Sequence, residues 1–178
     1  PAVQASLHDE VSAVLGGAAP TAEDVERLPL TVAVFREVLR LYPPAWIIGR
    51  EVIAEPERTG PLTLKSIDKA LPVGTQVIMA QWVTHRDARW WPEPHVFRPE
   101  RWLTPDPNRP RFAYFPFGGG PRVCIGNHFA EVEGVLALAV LAARLEFLPV
   151  AGHDTLTLAP SVTLRPQGPV PLRIRRRG

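Results

Sequence analysis

The sequence predicts a mainly helical chain with small β-sheets, an α+β protein, on three observations. Apolar residues recur at helical spacing in the first forty positions or so, short β-rich runs bounded by turn residues follow them, and Asn127 to Leu145 reads as one long buried helix. In chain order, Val3, Leu7, Val11 and Leu15 stack on one helical face, and Gly16-Gly17 ends that helix. Thr21 with Asp24 three residues later predicts the start of a short capped helix. Leu28-Pro29 leads into a helix on which Val34, Val38 and Leu41 continue an apolar stripe, stopped after Tyr42 by Pro43-Pro44. Trp46 to Val52, Pro61 to Leu64 and Gln76 to Val83 read as strands of a small sheet. Pro92 to Phe115 holds six prolines and few periodic positions, so it reads as an irregular meander. Past the long helix, Leu156-Thr157-Leu158 and Leu172-Arg173-Ile174, in the stretch from Asp154 to Arg177, predict strand-like pairs around Pro166-Gln167-Gly168-Pro169.

Composition narrows the function classes. With 178 residues and 46% hydrophobic content the chain can bury a sizeable core, and one unit spanning 1–178 is the expected organisation. A lone cysteine excludes an internal disulfide, which points to a cytoplasmic setting. The most apolar run, Gly134 to Ala143, is ten residues long, short of the ~20 that span a bilayer, so no membrane segment is expected. All but two of the 20 basic residues are arginine, yet the formal net charge is only +2, which argues against nucleic acid as a partner. The arginines at 165, 173, 175, 176 and 177 read as a solvated basic end.

Chemistry concentrates in Phe117-Gly118-Gly119-Gly120-Pro121-Arg122-Val123-Cys124-Ile125-Gly126. Free cysteine favours interiors as a small hydrophobe, but here it sits at the tip of a glycine-dense loop feeding a helix. The positive end of that helix and its free amides favour a thiolate, the form that binds metal. The glycines, Gly118 and Gly126 among them, clear side chains where the backbone turns and a flat macrocycle could approach. Arg122 can present a planar fork to a carboxylate. Upstream, Glu37 and Arg40 stand three apart on one helix face and can pair. His128 follows Cys124 by four, but a zinc site needs more cysteine or histidine at ligand spacing than this sequence has.

Phe117 to Gly126 resembles the haem-binding loop of the cytochrome P-450 superfamily, the haem-thiolate monooxygenases, whose pattern is Phe-x-x-Gly-x-Arg/His-x-Cys-x-Gly. Every specified position is matched, and Asn127 to Glu133 is similar to the family's following helix. Glu37 to Arg40 resembles the family's Glu-x-x-Arg motif, and Pro99-Glu100-Arg101-Trp102 its Pro-Glu-Arg segment. The resemblance implies the C-terminal half of that fold and haem b (iron protoporphyrin IX) as cofactor. Cys124 would be the catalytic residue and axial iron ligand, with Phe117, Gly118 and Gly126 shaping the haem bed and Arg122 and Arg50 on the propionates. Glu37, Arg40 and Arg101 would be a structural trio. Ala45, Trp46, Ile47, Ile48, Ser161 and Val162, with Thr163, would line the cavity for a hydrophobic small-molecule substrate. Arg109 and Arg111 would face the electron donor, a ferredoxin or flavin reductase. His85-Arg86-Asp87 is similar to a family segment without assigned chemistry.

The family's oxygen-binding helix, an acidic residue followed by threonine, has no counterpart ahead of Glu37, so the missing N-terminal half of the fold would be a further partner. The activity implied for the complete protein is insertion of one oxygen atom of O2 into an apolar substrate. The alternatives are a truncated non-catalytic remnant or interaction module, and a haem-thiolate enzyme that uses peroxide or isomerises an oxygenated substrate.

Overall fold

In the computed structural model, residues 1–54, 60–64, 68–153 and 155–177 are described; Asp154, the expected edge of the terminal strand region, lies outside them. Helix α1, Ala2–Leu15, ends where Gly16 turns left-handed at φ 56° and returns its amide to the Ser12 carbonyl. A 3₁₀ stretch, Ala22–Arg27, follows, and the amide of its N-cap Thr21 donates to the Asp24 carboxylate at 2.9 Å. Helix α2, Pro29–Leu41, places proline at its first position, where no amide is lost. Its N-cap, Leu28, has no side chain to offer. Glu10 of α1 supplies the cap instead, accepting from the Leu30 and Thr31 amides at 2.7 and 2.9 Å and from the Thr31 hydroxyl at 2.7 Å.

Leu7, Val11, Leu28, Val34, Val135, Ala139 and Ala142 form the core where α1 and α2 meet α4, Asn127–Arg144. Burying each large aliphatic there contributes about 1.5–3 kcal/mol. Gly134 lets α2 and α4 close on each other: a Cβ built on it would stand 2.1 Å from the Phe35 ring. The apolar stripe of α2 differs from expectation at one position, since Val38 is 37% exposed while Leu39 is buried. The buried arc is centred on Glu37 and Arg40, and Val38 falls on its flank.

Strand β1, Ile48–Glu51, pairs antiparallel with β4, Gln76–Met79, in a register that sets Arg50 opposite Val77. Between them β2, Leu62–Leu64, pairs with β3, Lys69–Leu71, so two two-stranded sheets stand where one was expected. The expected strand from Gln76 to Val83 stops at Met79, because Gln81–Thr84 coils into the short helix α3, its His85 cap donating to the Gln81 carbonyl. β-favouring side chains lose there to packing: Gln81 is buried and the Trp82 amide reaches the Trp46 carbonyl at 3.1 Å. The meander is ordered by 3₁₀ turns at Pro99–Trp102 and Arg111–Ala113.

The C-terminal pairing also differs from the sequence reading. Strand β5, Leu145–Pro149, continues directly from α4 and pairs with β8, Leu172–Arg176. Strand β6, Leu158–Pro160, pairs with β7, Leu164–Pro166, so its turn is Ser161 to Thr163 and not the Pro166 to Pro169 stretch. The Gln4 side-chain amide pairs with the Phe147 backbone in both directions, at 3.2 and 2.8 Å, tying α1 to β5. No helix among the described residues is long and apolar enough to cross a membrane.

Candidate functional site

Two constructions meet in front of α4, a dry ionic cluster and an open thiol loop. The cluster centres on Glu37, which with Arg40 is fully buried. Glu37 Oε1 accepts from Arg40 Nη2 at 2.8 Å, the Arg98 amide at 2.9 Å and Arg101 Nε at 3.2 Å. Its Oε2 accepts from Arg40 Nε at 2.8 Å and from the Trp102 indole at 2.9 Å. Burial pushes the carboxyl pKa up, but the bonds from Arg40, the Arg98 amide and Trp102 outweigh it and hold the group below the usual carboxylate range.

Arg40 spends its remaining protons on the carbonyls of His85 at 2.8 Å, Pro94 at 2.7 Å and Val96 at 3.2 Å, and Arg101 Nη1 reaches Pro92 O at 3.0 Å. Two helix-borne charges thus gather four carbonyls of the meander or its approach. His85 carries the grip onward, because its Nε2 accepts the Phe115 amide at 2.9 Å, two residues before Phe117. Trp91 adds a bond from its indole to the Ala113 carbonyl at 3.1 Å. The sequence names Trp102 and His85 within motifs but gives neither a role, and it does not single out Trp91 or the Arg98 amide; nothing local announces that the Trp102 indole reaches Glu37.

The thiol loop begins there. Gly118 and Gly120 adopt φ +77° and +69°, left-handed values that only glycine takes without strain. The Cys124 amide donates to the Phe117 carbonyl at 2.9 Å and the Cys124 carbonyl accepts from Asn127, closing the loop onto the first turn of α4. Gly126 does not need glycine for its backbone, whose φ is −89°. A Cβ there would stand 3.9 Å from Cys124 Sγ, an ordinary contact distance. The thiol itself is exposed.

A cavity of about 340 Å³ opens over this sulfur. Cys124, Arg122, Arg50, Phe117, Gly118, Ala45 and Ile48 all line it, so residues of the loop, of β1 and of its approach share one wall with Leu39, Pro44, Gln81 and Pro116. The sequence gives none of the last four a lining role, and names Pro44 only as part of the stop to α2. Trp46, Ile47, Ser161 and Val162 do not line this cavity. Instead the Trp46 indole donates to the Ser161 carbonyl at 2.8 Å, beside the rim.

A larger apolar cavity, about 670 Å³, adjoins it across Ile48 and Arg50. Arg109 differs from its expected place on a free charged face. It stacks on Trp91, 4.1 Å from the ring centroid, with Asp106 alongside at 3.9 Å, and its side chain is largely buried. Arg111 remains exposed beside Phe112. His128 is exposed on α4, and no group of three or more His, Cys, Asp or Glu among the described residues could hold a bare metal ion.

Residues 1–172 match the family model described as Cytochrome P450. The chain belongs to the cytochrome P450 superfamily. It is 43% identical over 156 residues to cyclooctatin synthase of Streptomyces melanosporofaciens, an alignment covering 85% of this chain and 32% of that protein. Against cyclooctat-9-en-7-ol 5-monooxygenase of the same organism it is 38% identical over 153 residues, 85% of this chain and 32% of that one. Against human 25-hydroxyvitamin D-1 alpha hydroxylase, mitochondrial, it is 39% identical over 155 residues, 85% and 29%. This P450 chain therefore spans about a third of the length of the curated relatives it matches. The family implies a haem cofactor, and the mixed helices and small two-stranded sheets accord with part of its α+β fold.

Proposed function

We propose that this chain is the C-terminal, haem-thiolate portion of a monooxygenase that inserts one oxygen atom of O2 into an apolar organic substrate. The observation that carries the reading is the shared wall of one cavity: an exposed thiol, two arginines and a lining that is apolar apart from Gln81. These residues fit a haem. Cys124 stands exposed on the cavity wall where a flat ring would approach its sulfur, and Arg50 and Arg122 on the same wall offer cations to the ring's two propionates. A haem held through a thiolate supplies the capacity to activate O2 once two electrons and two protons arrive.

The chain's own residues do the rest. Cys124 donates the sulfur, and Leu39, Pro44, Ile48 and Phe117 give the cavity beside it an apolar wall. Glu37, Arg40 and Arg101 hold the meander, and through His85 and the Phe115 amide they fix the start of the thiol loop. The cofactor in this reading is haem b, the substrate a hydrophobe, and the donor a ferredoxin or flavin reductase in the cytoplasm. The other two thirds of the family's length would supply the oxygen-side wall as the N-terminal half of the fold.

Cys124→Ser should abolish the strongly red-shifted carbon monoxide band of the ferrous protein. An unchanged band removes Cys124 as the ligand. A folded recombinant chain that purifies colourless and takes up no added hemin would favour the non-catalytic remnant instead.

A further inference from the structure

Two side chains one turn apart at α3 carry buried polar atoms without partners. Gln81 and His85 are both fully buried, and the His85 amide donates to the Gln81 carbonyl at 2.8 Å, which sets the two on one face of that turn. Neither amide atom of the Gln81 side chain has a hydrogen-bond partner among the described residues, and neither has His85 Nδ1. Buried polar groups in folded proteins are nearly always paired, because an unpaired one loses its hydration without replacement.

The ring's other nitrogen fixes what each of these atoms needs. His85 Nε2 accepts the Phe115 amide at 2.9 Å, and burial keeps the ring neutral, its pKa pushed down to about 4, so the one ring proton sits on Nδ1. That proton needs an acceptor, and Gln81 Oε1, a turn away, is one. The Gln81 Nε2 protons then remain. Gln81 lines the Cys124 cavity, whose other polar side chains are Arg50, Arg122 and the thiol: two cations, with no carboxylate or hydroxyl. The side-chain acceptor has to come with a ligand, and beside two guanidiniums that acceptor is an anion.

The geometry points to Gln81 as a further binding residue for a carboxylate of the ring that Cys124 holds, and to His85 as the positioning residue behind it. Donors and acceptors then run in one direction: Phe115 amide to His85 Nε2, Nδ1–H to Gln81 Oε1, and Gln81 Nε2–H to the carboxylate. Each bond polarises the next. A carboxylate seated at Gln81 thereby tightens the backbone amide just ahead of the thiol loop, linking the two ends of the site. This rests on the haem-thiolate reading above and deepens it.

The test loads the protein, expressed from its full reading frame, with either of two iron porphyrins: protohaem, which carries two propionates, or iron etioporphyrin, whose substituents are all alkyl. Transfer to excess apomyoglobin gives the rate of loss. Gln81→Met keeps an unbranched side chain of similar length and removes the amide; it should speed protohaem loss about tenfold, the scale of a hydrogen bond to a charged group, and leave etioporphyrin loss within about twofold. A merely structural role would move both alike. Hydrogen exchange at the Phe115 amide reads the relay itself. In the unmodified protein it should be about fivefold slower with protohaem than with etioporphyrin, while the Cys124 amide, held by the Phe117 carbonyl, exchanges alike with both. In Gln81→Met the Phe115 difference should vanish.

Acceleration with etioporphyrin equal to or above that with protohaem, no acceleration with either, or a Phe115 amide indifferent to the porphyrin would overturn the assignment. If Gln81→Met does not fold, the Phe115 and Cys124 amides of the unmodified protein decide alone. Absence of the red-shifted carbon monoxide band from the unmodified protein loaded with protohaem overturns both the haem-thiolate reading and this one. The band present with any of those adverse results overturns this one alone.

Discussion

Glu37 receives five hydrogen bonds in a place water does not reach, while Cys124 is left exposed at the mouth of a cavity. Both regions carry a short sequence motif, yet they are built for opposite ends. The cluster completes itself within the chain, one carboxylate shared by two guanidiniums whose remaining donors go to backbone carbonyls. The loop is finished only by something from outside. Stability is thus concentrated where no chemistry occurs, and reactivity sits where the fold has little to lose, with the His85 ring joining the two by accepting the Phe115 amide.

The sharpest way to break that contrast is to remove one side of the cluster. Glu37→Gln leaves Arg40 and Arg101 as buried cations without a counter-charge, and should cost about 3–5 kcal/mol in chemical denaturation. A loss below about 1 kcal/mol, the value of an exposed pair, would mean that water enters the cluster and that the two regions do not differ as described.

Acid should act next, through the joint between the regions. Burial, with Arg40 and Arg86 adding repulsion, pushes the His85 pKa down from 6.5 to about 4. The folded pKa lies below the unfolded one, so between these values the unfolded chain binds the extra proton. Stability contributed by neutral His85 is therefore fully present above pH 6.5 and is lost as pH falls toward 4. The full loss is about 3 kcal/mol from a shift of that size. His85→Gln, which can still accept the Phe115 amide, should flatten this part of the stability profile measured by denaturation at stepped pH. An unchanged slope would place the acid sensitivity elsewhere, with Glu37 the next group to follow, since its lowered pKa makes its contribution vanish at still lower pH.

Local spacing made some of this legible in advance, and long-range convergence hid the remainder. Glu37 and Arg40 lie three apart on one helix, so their pairing is a matter of α2 alone. The glycine-dense turn before α4 and the 3₁₀ cap between Thr21 and Asp24 are equally local. The Trp102 indole and the Arg98 amide on Glu37, the Glu10 cap on α2 and the Trp46 indole on Ser161 each join residues 20 to 115 positions apart. No periodicity announces such bonds. Gln81 to Thr84 went astray in the opposite direction, because residues that favour strands were coiled by a buried neighbour and a bond to Trp46. Gly134 reads as a flaw in an apolar helix until the Phe35 ring is seen lying against it.

The smallest expected effect tests the loop side of the contrast. Cys124→Ser exchanges one exposed atom for a similar one, in a loop whose shape is set by backbone bonds to Phe117 and Asn127 and by glycines, none of which the change touches. Denaturation of the apo-protein should therefore shift by no more than about 0.5 kcal/mol, the range of surface substitutions away from special features. In the haem-loaded protein the same substitution should lower stability, because a ligand that binds only the folded state adds to it in proportion to its affinity and the serine variant forfeits part of that gain. A large loss in the apo-protein would show that the sulfur already braces the fold before any partner arrives, and the division between a self-sufficient cluster and an open loop would fail at its most reactive atom.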